Sequence, residues 1–368
     1  MAGRPLRNRL VLPAALLVVV IAWLAFWPVP IEPRVWQAPA DAGHVDPYAP
    51  NDRLRAAAAL PIAPYSGPED AALGPDGALY VSSADGTILR LAGNGRPTVY
   101  ADVGGRPLGL AFDNSGNLLV ANALRGLQQV DTGGRVTVLV ESADGQPVRY
   151  ANNVAVAADG RVYFSDSSAR FSPAAHGGAY AASLLDIMEH DTTGRVIVYD
   201  PVEATARTFA DGLAYANGVA VSRDQRYLLV AETAHYRVWR YSLEDPAAAR
   251  VPVIGNLPGF PDNLTAGLHD RIWVGLVAPR NALLDRLAPR PFLRKVVQRL
   301  PPALRPAAEP HSHVLAINPA GQVLMDLQDT AATLPALTGV LETRDALYLT
   351  SLFGERIGRL DKADLAPR

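Results

Sequence analysis

The sequence contains no cysteine, which excludes disulfide bonds, thiolate-bound metals and a cysteine nucleophile. It also lacks the Gly-x-Ser-x-Gly turn of many serine hydrolases and the His-Glu-x-x-His segment of zinc proteases. The chain also has no large excess of positive or negative charge, because 34 basic and 36 acidic residues give a formal charge of -2. A chain so balanced has no broad positive field, so we do not expect nucleic acid as a partner.

Histidine is sparse and shows little pattern. Of the seven histidines, only His311 and His313 lie at a spacing that could place two ligands on one metal ion. We interpret this pair as loop residues that flank the strand following them, since a lone pair of histidines is no metal motif.

The longest uncharged apolar run, residues 10–27, predicts a membrane-spanning helix. Its 18 residues would extend ~27 Å as a helix, close to the thickness of a bilayer core. Three arginines precede the run, and a Trp- and Pro-rich end replaces the small residues of a cleavage site, so an anchor is favoured over a signal peptide. We therefore expect residues 1–9 in the cytoplasm, the rest of the chain on the extracytoplasmic side, and residues 28–60 as a proline-rich extended spacer.

One short unit recurs six times over residues 61–368. Each copy has a polar turn, an alternating apolar strand, a second turn and another short strand, which is the pattern of β-hairpins. The spacing of the copies brackets the length of a four-stranded blade. The sequence therefore predicts an all-β, six-bladed β-propeller, whereas a β-sandwich would not naturally repeat one unit six times.

Two stretches interrupt the repeat. Residues near 169–193 are predicted to be loop-like with a short apolar run. Residues 279–310 place apolar side chains at helical spacing with Arg and Lys between them, which predicts one or two short basic amphipathic helices. This second insertion is a lid, or an interfacial segment whose basic part (280–305) rests on acidic lipid beside the anchor, or a solvated helix that covers one face of the propeller.

Polar turns precede strands of four different repeats. Their carboxylate and amide residues are Glu69 and Asp70, Asn152 and Asn153, Asn217, and Asp262 and Asn263. Singly, each turn is explained by an Asn or Asp that bonds its own backbone. Equivalent connections of a propeller project to the same end of its channel, however, so these oxygens can converge on one cation. Hard oxygen donors suit Ca²⁺ and argue against zinc.

Read in order, these segments resemble the strictosidine synthase-like family, and most closely its adipocyte plasma membrane-associated protein branch. The segments are GPED, RPLGLAFDNSGNLLVAN, ANNVAVAADGRVYFSDSS, ANGVAVSRDQRYLLVAET and LPGFPDNL, and the resemblance runs from about residue 67 to residue 360. It implies a six-bladed propeller and, through the related gluconolactonases, regucalcin and paraoxonases, a Ca²⁺-type site on the axis. The implied ligands are Glu69, Asn152, Asn217 and Asp262, with Asp70, Asn153 and Asn263 as outer or additional ligands.

Two departures from the family limit what the resemblance implies about chemistry. Where the plant enzyme that condenses an amine with an aldehyde has its catalytic glutamate, this sequence has Thr338. The paraoxonases use a histidine pair for hydrolysis, and the corresponding residues 106–110 (RPLGL) contain none.

We expect a membrane-anchored, metal-dependent hydrolase of lactones or aryl esters, acting on a small-molecule substrate. The metal would be divalent and is best matched by Ca²⁺, and Asp262 or Glu69 would assist proton transfer. A non-catalytic binding or scaffold propeller with a structural metal is the alternative, since a tie at the axis stabilises stacked blades without turnover. Amine-aldehyde condensation is a third possibility, which Thr338 disfavours.

Overall fold

A computed structural model describes residues 7–92 and 96–365. Its strands form six four-stranded antiparallel sheets and one additional two-stranded hairpin. The innermost strand of each sheet contacts the innermost strand of the next, and the sixth returns to the first. The sheets are therefore the blades of a closed ring, and the prediction of a six-bladed β-propeller is confirmed.

The elements follow one another blade by blade. Before the first blade lie α1 (Arg7–Phe26) and β1 (Ala58–Pro61). Blade 1 comprises β2 (Ala71–Leu73), β3 (Leu79–Ser82), β4 (Thr87–Leu91) and β5 (Pro97–Asp102). Blade 2 comprises β6 (Pro107–Phe112), β7 (Leu118–Asn122), β8 (Gly126–Val130) and β9 (Val136–Val140), followed by the hairpin β10 (Ser142–Ala143) and β11 (Gln146–Pro147). Blade 3 comprises β12 (Ala151–Val156), β13 (Val162–Asp166), β14 (Gly194–Asp200) and β15 (Thr205–Leu213), with α2 (Ala179–Glu189) inserted after β13.

The second half of the ring continues the series. Blade 4 comprises β16 (Ala216–Val221), β17 (Tyr227–Glu232), β18 (Arg237–Ser242) and β19 (Val251–Ile254). Blade 5 comprises β20 (Gly259–Ala266), β21 (Ile272–Pro279), β22 (Ser312–Ile317) and β23 (Val323–Asp329), with α3 (Ala282–Leu287) and α4 (Pro291–Arg299) inserted after β21. Blade 6 comprises β24 (Leu337–Glu342), β25 (Ala346–Ser351) and β26 (Arg356–Asp361), and short 3-10 helices lie at Thr233–His235, Pro302–Leu304 and Lys362–Leu365.

The ring is closed by a strand from the N-terminal side of the chain. β1 pairs antiparallel with β26, from Ala58 opposite Arg359 to Pro61 opposite Arg356, and completes blade 6. Distant parts of the chain thus share one sheet, and opening the ring would require breaking that ladder.

The core consists of apolar layers between neighbouring blades. In β17, Leu228 and Val230 pack toward blade 3, whereas Leu229 and Ala231 pack toward blade 5. Because successive side chains of a strand point to opposite faces, a strand covered on both faces reads as a continuous apolar run. This two-sided burial explains why the middle strands of the repeat are the clearest signal in the sequence.

The segment between α1 and β1 is packed, contrary to the predicted spacer. Residues 28–57, all of them described, form no helix or strand. Ile31 and Leu54 are nevertheless buried in the core, and Trp36 packs against blades 4 and 5. Asn51 donates a hydrogen bond from Nδ2 to Asp326 Oδ2 at 2.8 Å. The segment is therefore an extended strap held against the propeller.

No helix within residues 7–92 and 96–365 is long and apolar enough to cross a membrane. The membrane-spanning helix predicted for residues 10–27 is therefore not supported by the structure.

A carboxylate ties blade 5 to blade 6. Glu342 accepts hydrogen bonds from Trp273 Nε1 at 2.8 Å, from Leu268 N at 3.0 Å and from Lys362 Nζ at 2.6 Å, and it pairs with Arg271. Burial alone would raise the pKa of Glu342, but the hydrogen bonds from Arg271, Lys362 and Trp273 outweigh it and lower the pKa to about 2.

We predict that Glu342→Gln lowers the free energy of unfolding at pH 7 by about 2 kcal/mol, because it weakens buried hydrogen bonds from charged donors. The folded-state pKa lies below the ordinary value, so the stabilisation is present above pH ~4.3 and is lost as the pH falls towards 2. Urea unfolding at pH 7 and at about pH 3 measures both effects.

The matched control for this prediction is Glu244→Gln. Glu244 pairs with Arg226 at the surface, where its side chain is 63% exposed, so the expected loss is within ~0.5 kcal/mol. Equal losses for the two variants, or an undiminished Glu342 effect at the lower pH, would contradict the assignment.

Candidate metal centre and its pocket

The predicted site residues lie where the innermost strands begin. In blades 3, 4 and 5 the ladder between the first two strands shifts register at this point: between Ala151 and Val154, between Ala216 and Val219, and between Pro261 and Leu264. A bulge takes its residues out of the regular ladder and redirects their side chains. In blades 3 and 5, two consecutive polar side chains can therefore serve different purposes.

Four of the predicted residues meet at one cavity of about 120 Å³. Glu69, Asn152, Asn217 and Asp262 all line it, with exposures of 3%, 3%, 3% and 7%. Asn217 donates from Nδ2 to Asp262 Oδ1 at 2.7 Å. The four residues predicted as metal ligands are thus brought together from blades 1, 3, 4 and 5.

Three oxygen atoms of this group are buried without a partner. Glu69 Oε2, Asn152 Oδ1 and Asn217 Oδ1 accept no hydrogen bond from any described residue. The amide nitrogens of the two asparagines already donate hydrogen bonds, Asn152 Nδ2 to Ser167 Oγ at 3.1 Å and Asn217 Nδ2 to Asp262 Oδ1. A buried polar atom without a partner costs about 1–3 kcal/mol, and a hard cation is one partner that would satisfy all three. The residues present therefore fit a Ca²⁺-type ion.

The neighbouring residues Asp70, Asn153 and Asn263 do not line this cavity. Asp70 Oδ2 accepts from Leu110 N at 2.9 Å, and Asn153 Oδ1 accepts from Val219 N at 2.9 Å. Asn263 donates from Nδ2 to the Glu69 carbonyl oxygen at 3.1 Å and accepts from Asn153 Nδ2 at 3.1 Å. These three side chains join the inner strands to one another and hold the cavity residues from behind.

In blades 2, 4 and 6, glycine occupies the position that Asp70, Asn153 and Asn263 hold in blades 1, 3 and 5. A Cβ atom on Gly109 would lie 2.6 Å from Asn153 Cα, and one on Gly218 would lie 2.1 Å from Leu264 N. Blades with an Asp or Asn at this position therefore alternate with blades whose glycine leaves room for that side chain. At Gly109 and Gly218, even a Cβ atom would require the neighbouring backbone to move.

Negative charge is concentrated in the site. Burial raises the pKa of Glu69 to about 7, although Arg106 and a hydrogen bond from Asn263 oppose the shift. Burial, followed by the charge of Glu69, raises the pKa of Asp262 and of Asp70 well above the usual range. Such a group of carboxyls either retains protons or takes up a cation.

The cavity walls are mostly apolar and come partly from the two insertions. Tyr180 and Leu184 of α2 and Leu284 of α3 line it. The first insertion is thus a helix over Ala179–Glu189 rather than the predicted loop. Arg294 of α4 donates to the carbonyl oxygen of Met188 at 2.9 Å, so the two insertions also support each other.

Tyr150, Tyr215 and Phe260 line the cavity but were missed from the sequence. Each stands two residues before an asparagine or aspartate of the site, in Tyr-Ala-Asn, Tyr-Ala-Asn and Phe-Pro-Asp. This shared spacing of two residues before a predicted ligand was the available signal. The Tyr150 hydroxyl donates to the carbonyl oxygen of Ala179 at 2.7 Å and so fixes the start of α2 over the site.

Comparison with known families matches the predicted resemblance. The model of the strictosidine synthase family matches residues 152–246, and that of the strictosidine synthase-like N-terminal family matches residues 46–91. Strictosidine synthase-like protein 10 of Arabidopsis thaliana is 33% identical over 328 residues, which cover 80% of this chain and 85% of that protein. The adipocyte plasma membrane-associated protein of Bos taurus is 30% identical over 354 residues, covering 89% and 84%.

Solved structures with the same fold are more distant in sequence. A gluconolactonase of Xanthomonas campestris superimposes with a TM-score of 0.62 at 19% identity, over 92% of this chain and 98% of that one. The calcium-binding regucalcin of Agrobacterium tumefaciens has a TM-score of 0.58 at 14% identity, over 82% and 92%. At these identities the likeness establishes the fold.

We predict that Ca²⁺ binding releases protons and strengthens as the pH rises from about 5.5 to 8. The cation competes with protons on Glu69 and Asp262, whose pKa values burial raises. Calorimetric titration in two buffers of different ionisation enthalpy counts the protons, and Glu69→Gln should reduce both the count and the affinity. An affinity independent of pH over this range would contradict the prediction.

Proposed function

Because the chain belongs to the strictosidine synthase-like family, we propose that it hydrolyses small lactones or aryl esters at the cation-binding cavity of its propeller. The observation that carries this proposal is the set of buried, unpartnered oxygens of Glu69, Asn152 and Asn217 at an apolar cavity. A cavity with apolar walls and a few convergent polar groups is typical of small-molecule sites. The gluconolactonase and regucalcin neighbours support the proposal at the level of the fold.

The residues that would hold the cation are Glu69, Asn152, Asn217 and Asp262. We propose Ca²⁺ because all four offer hard oxygen donors and two of them are carboxylates that offset its charge. When bound, such an ion polarises a carbonyl group and makes a coordinated water more acidic.

Of the two carboxylates, Glu69 is the better proton acceptor. Its Oε2 atom has no hydrogen-bond partner among the described residues, so no other side chain competes for the proton it would accept. Asp262 is instead held by the amide of Asn217, so we assign it to positioning and charge balance. A cation bound to Glu69 would hold the pKa of this carboxyl below the raised value of the metal-free site, so Glu69 would act as a weak base that takes a proton from an attacking water and returns it to the leaving group.

The walls would select apolar substrates and limit water. Phe260 and Leu284 line the cavity, and Tyr180 contacts Phe353 edge to face at 5.2 Å between ring centroids. Tyr180 and Phe353 are 39% and 49% exposed, so this pair stands at the mouth. An aryl or alkyl group would pack there while the ester carbonyl reaches the oxygen ligands.

Thr338 gives amine-aldehyde condensation no support. Its hydroxyl is buried and donates to the carbonyl oxygen of Glu69 at 2.6 Å. A side chain in this role steadies the backbone of a cavity residue and offers no carboxylate for acid-base chemistry.

We also propose that the chain rests on a lipid surface through the end of α1 and through α4. Phe26, Trp27 and Phe292 are 81%, 60% and 57% exposed. Arg299 donates to the carbonyl oxygen of Leu24 at 2.9 Å, which fixes α1 to α4. Aromatic side chains beside basic ones are typical of interfacial helices.

Sedimentation with phosphatidylserine vesicles tests the lipid proposal. Phe292→Asp should reduce the bound fraction several-fold, because it removes apolar contact and adds a repelled charge. Val202→Asp is the control, since Val202 is 91% exposed on a turn of blade 3. Equal binding by both variants would exclude α4 from the interface.

We predict that the chain hydrolyses phenyl acetate or members of a lactone panel. This activity should be lost when a chelator removes the metal and should return when Ca²⁺ is added. Asn152→Ala should lower kcat/KM by about 100-fold, because it removes an oxygen from the cation site. Asn114→Ala is the control, since Asn114 is an exposed amide on a distant turn. If calorimetry shows Ca²⁺ binding but no substrate is hydrolysed, the proposed hydrolase activity is contradicted, and a binding propeller with a structural ion is favoured.

A further inference from the structure

A second cluster of ligand-type side chains lies away from the cavity. His44 of the strap meets His311 and His313, and one ring nitrogen from each lies within 4.8 Å of those of the other two. Ring centroids are 5.5 Å apart for His44 and His311, 5.9 Å for His44 and His313, and 5.6 Å for His311 and His313. We propose that these three histidines bind a Zn²⁺-type ion that fastens the strap to blade 5.

The cluster is separate from the proposed Ca²⁺ site. His311 and His313 flank Ser312 at the start of β22, the third strand of blade 5, whereas Asp262 lies on β20, the innermost strand. None of the three histidines lines the cavity. This inference therefore stands whether or not the chain is a hydrolase.

One nitrogen of the cluster is left without a partner. His44 Nε2 is fully buried and makes no hydrogen bond within the described residues. A buried ring nitrogen in that condition is costly, and a metal bond would satisfy it. Burial lowers the pKa of each of the three imidazoles, which favours the neutral form that binds metals.

The other two rings are oriented by hydrogen bonds on their far side. His313 Nε2 lies 2.6 Å from Asp326 Oδ1, and His311 Nε2 lies 3.2 Å from Gln328 Oε1. Because Nε2 makes the hydrogen bond in both rings, the Nδ1 atoms of His311 and His313 are left to bind a metal. A carboxylate behind a histidine ligand fixes the ring and strengthens its basicity, as in many zinc sites.

The carboxylate is itself held in place from both sides. Asp326 Oδ2 accepts from Asn51 Nδ2 at 2.8 Å and from Gln328 Nε2 at 2.7 Å. Asn51 belongs to the strap that carries His44, so the strap supplies one ligand and also supports the partner of another. A site with this degree of outer support is preorganised for binding.

The donor set points to zinc rather than calcium. Three imidazole nitrogens without a thiolate suit Zn²⁺, which binds nitrogen at about 2.0–2.1 Å and leaves a fourth position for water. Tetrahedral geometry at that distance needs donors about 3.3 Å apart. The ring nitrogens lie within 4.8 Å of one another, so each pair would close by at most about 1.5 Å on binding. Rotation of the rings and movement of His44, whose segment has no helix or strand, would supply this approach.

Co²⁺ absorption of the full chain, after treatment with a chelator, tests the proposal. One equivalent of Co²⁺ should give the visible bands of a tetrahedral imidazole site, and one equivalent of Zn²⁺ should remove them. Excess Ca²⁺ should leave the bands unchanged, which separates this cluster from the oxygen ligands of the cavity.

His44→Ala should abolish the bands and weaken Zn²⁺ binding at least about 100-fold. His176→Ala is the matched control, because His176 is a partly buried histidine whose Nδ1 contacts the Ser172 carbonyl oxygen. Zn²⁺ should also raise the Tm of the wild-type chain and of His176→Ala, but not that of His44→Ala. Wild-type protein without a 1:1 Co²⁺ spectrum, or His44→Ala with unchanged Zn²⁺ affinity, would overturn the proposal.

Discussion

The structure depends on how the charge buried at the mouth of the propeller is balanced. Glu69, Asp70 and Asp262 lie within one ring of inner strands, and burial raises the pKa of each carboxyl. Burying unpaired carboxylates costs several kcal/mol, and two amide oxygens beside them also lack partners. The proposed divalent cation would relieve both costs at one point, since it would offset the charge of the carboxylates and satisfy the amide oxygens. Under this proposal, the stability of the ring and the chemistry of the cavity would have the same physical origin.

The interlocking of the inner strands makes this concentration of charge possible. Asn153 and Asn263 bridge blades that are not neighbours, and glycines such as Gly109 and Gly218 leave the space that this crossing needs. The cavity residues are therefore held by backbone and side chains on their far side. The helices of the two insertions then cover the cavity with apolar walls, which strengthens electrostatic interactions inside it.

Sequence patterns predicted what depends on local regularity. Each blade repeats the same alternation, so the number of blades could be counted and the four polar turns could be aligned by their common phase. The choice of Glu69, Asn152, Asn217 and Asp262 among the residues of those turns came from the family resemblance. Contacts between segments that are remote in sequence produce no repeating pattern from which they could be predicted. His44 meets His311 and His313 only because the strap folds back on blade 5, and proline-rich sequence suggested a free spacer instead. Helix α2 was missed because 11 residues are a short window for helical periodicity.

The most direct test of a cation at the centre of the ring is a crystal structure of the chain grown with Ca²⁺, with Mn²⁺ exchange to give an anomalous signal. One peak is expected among the side-chain oxygens of Glu69, Asn152, Asn217 and Asp262, at about 2.3–2.6 Å from each when Ca²⁺ is bound. A cavity containing only water at saturating Ca²⁺, with the four side chains hydrogen-bonded to one another, would contradict the account.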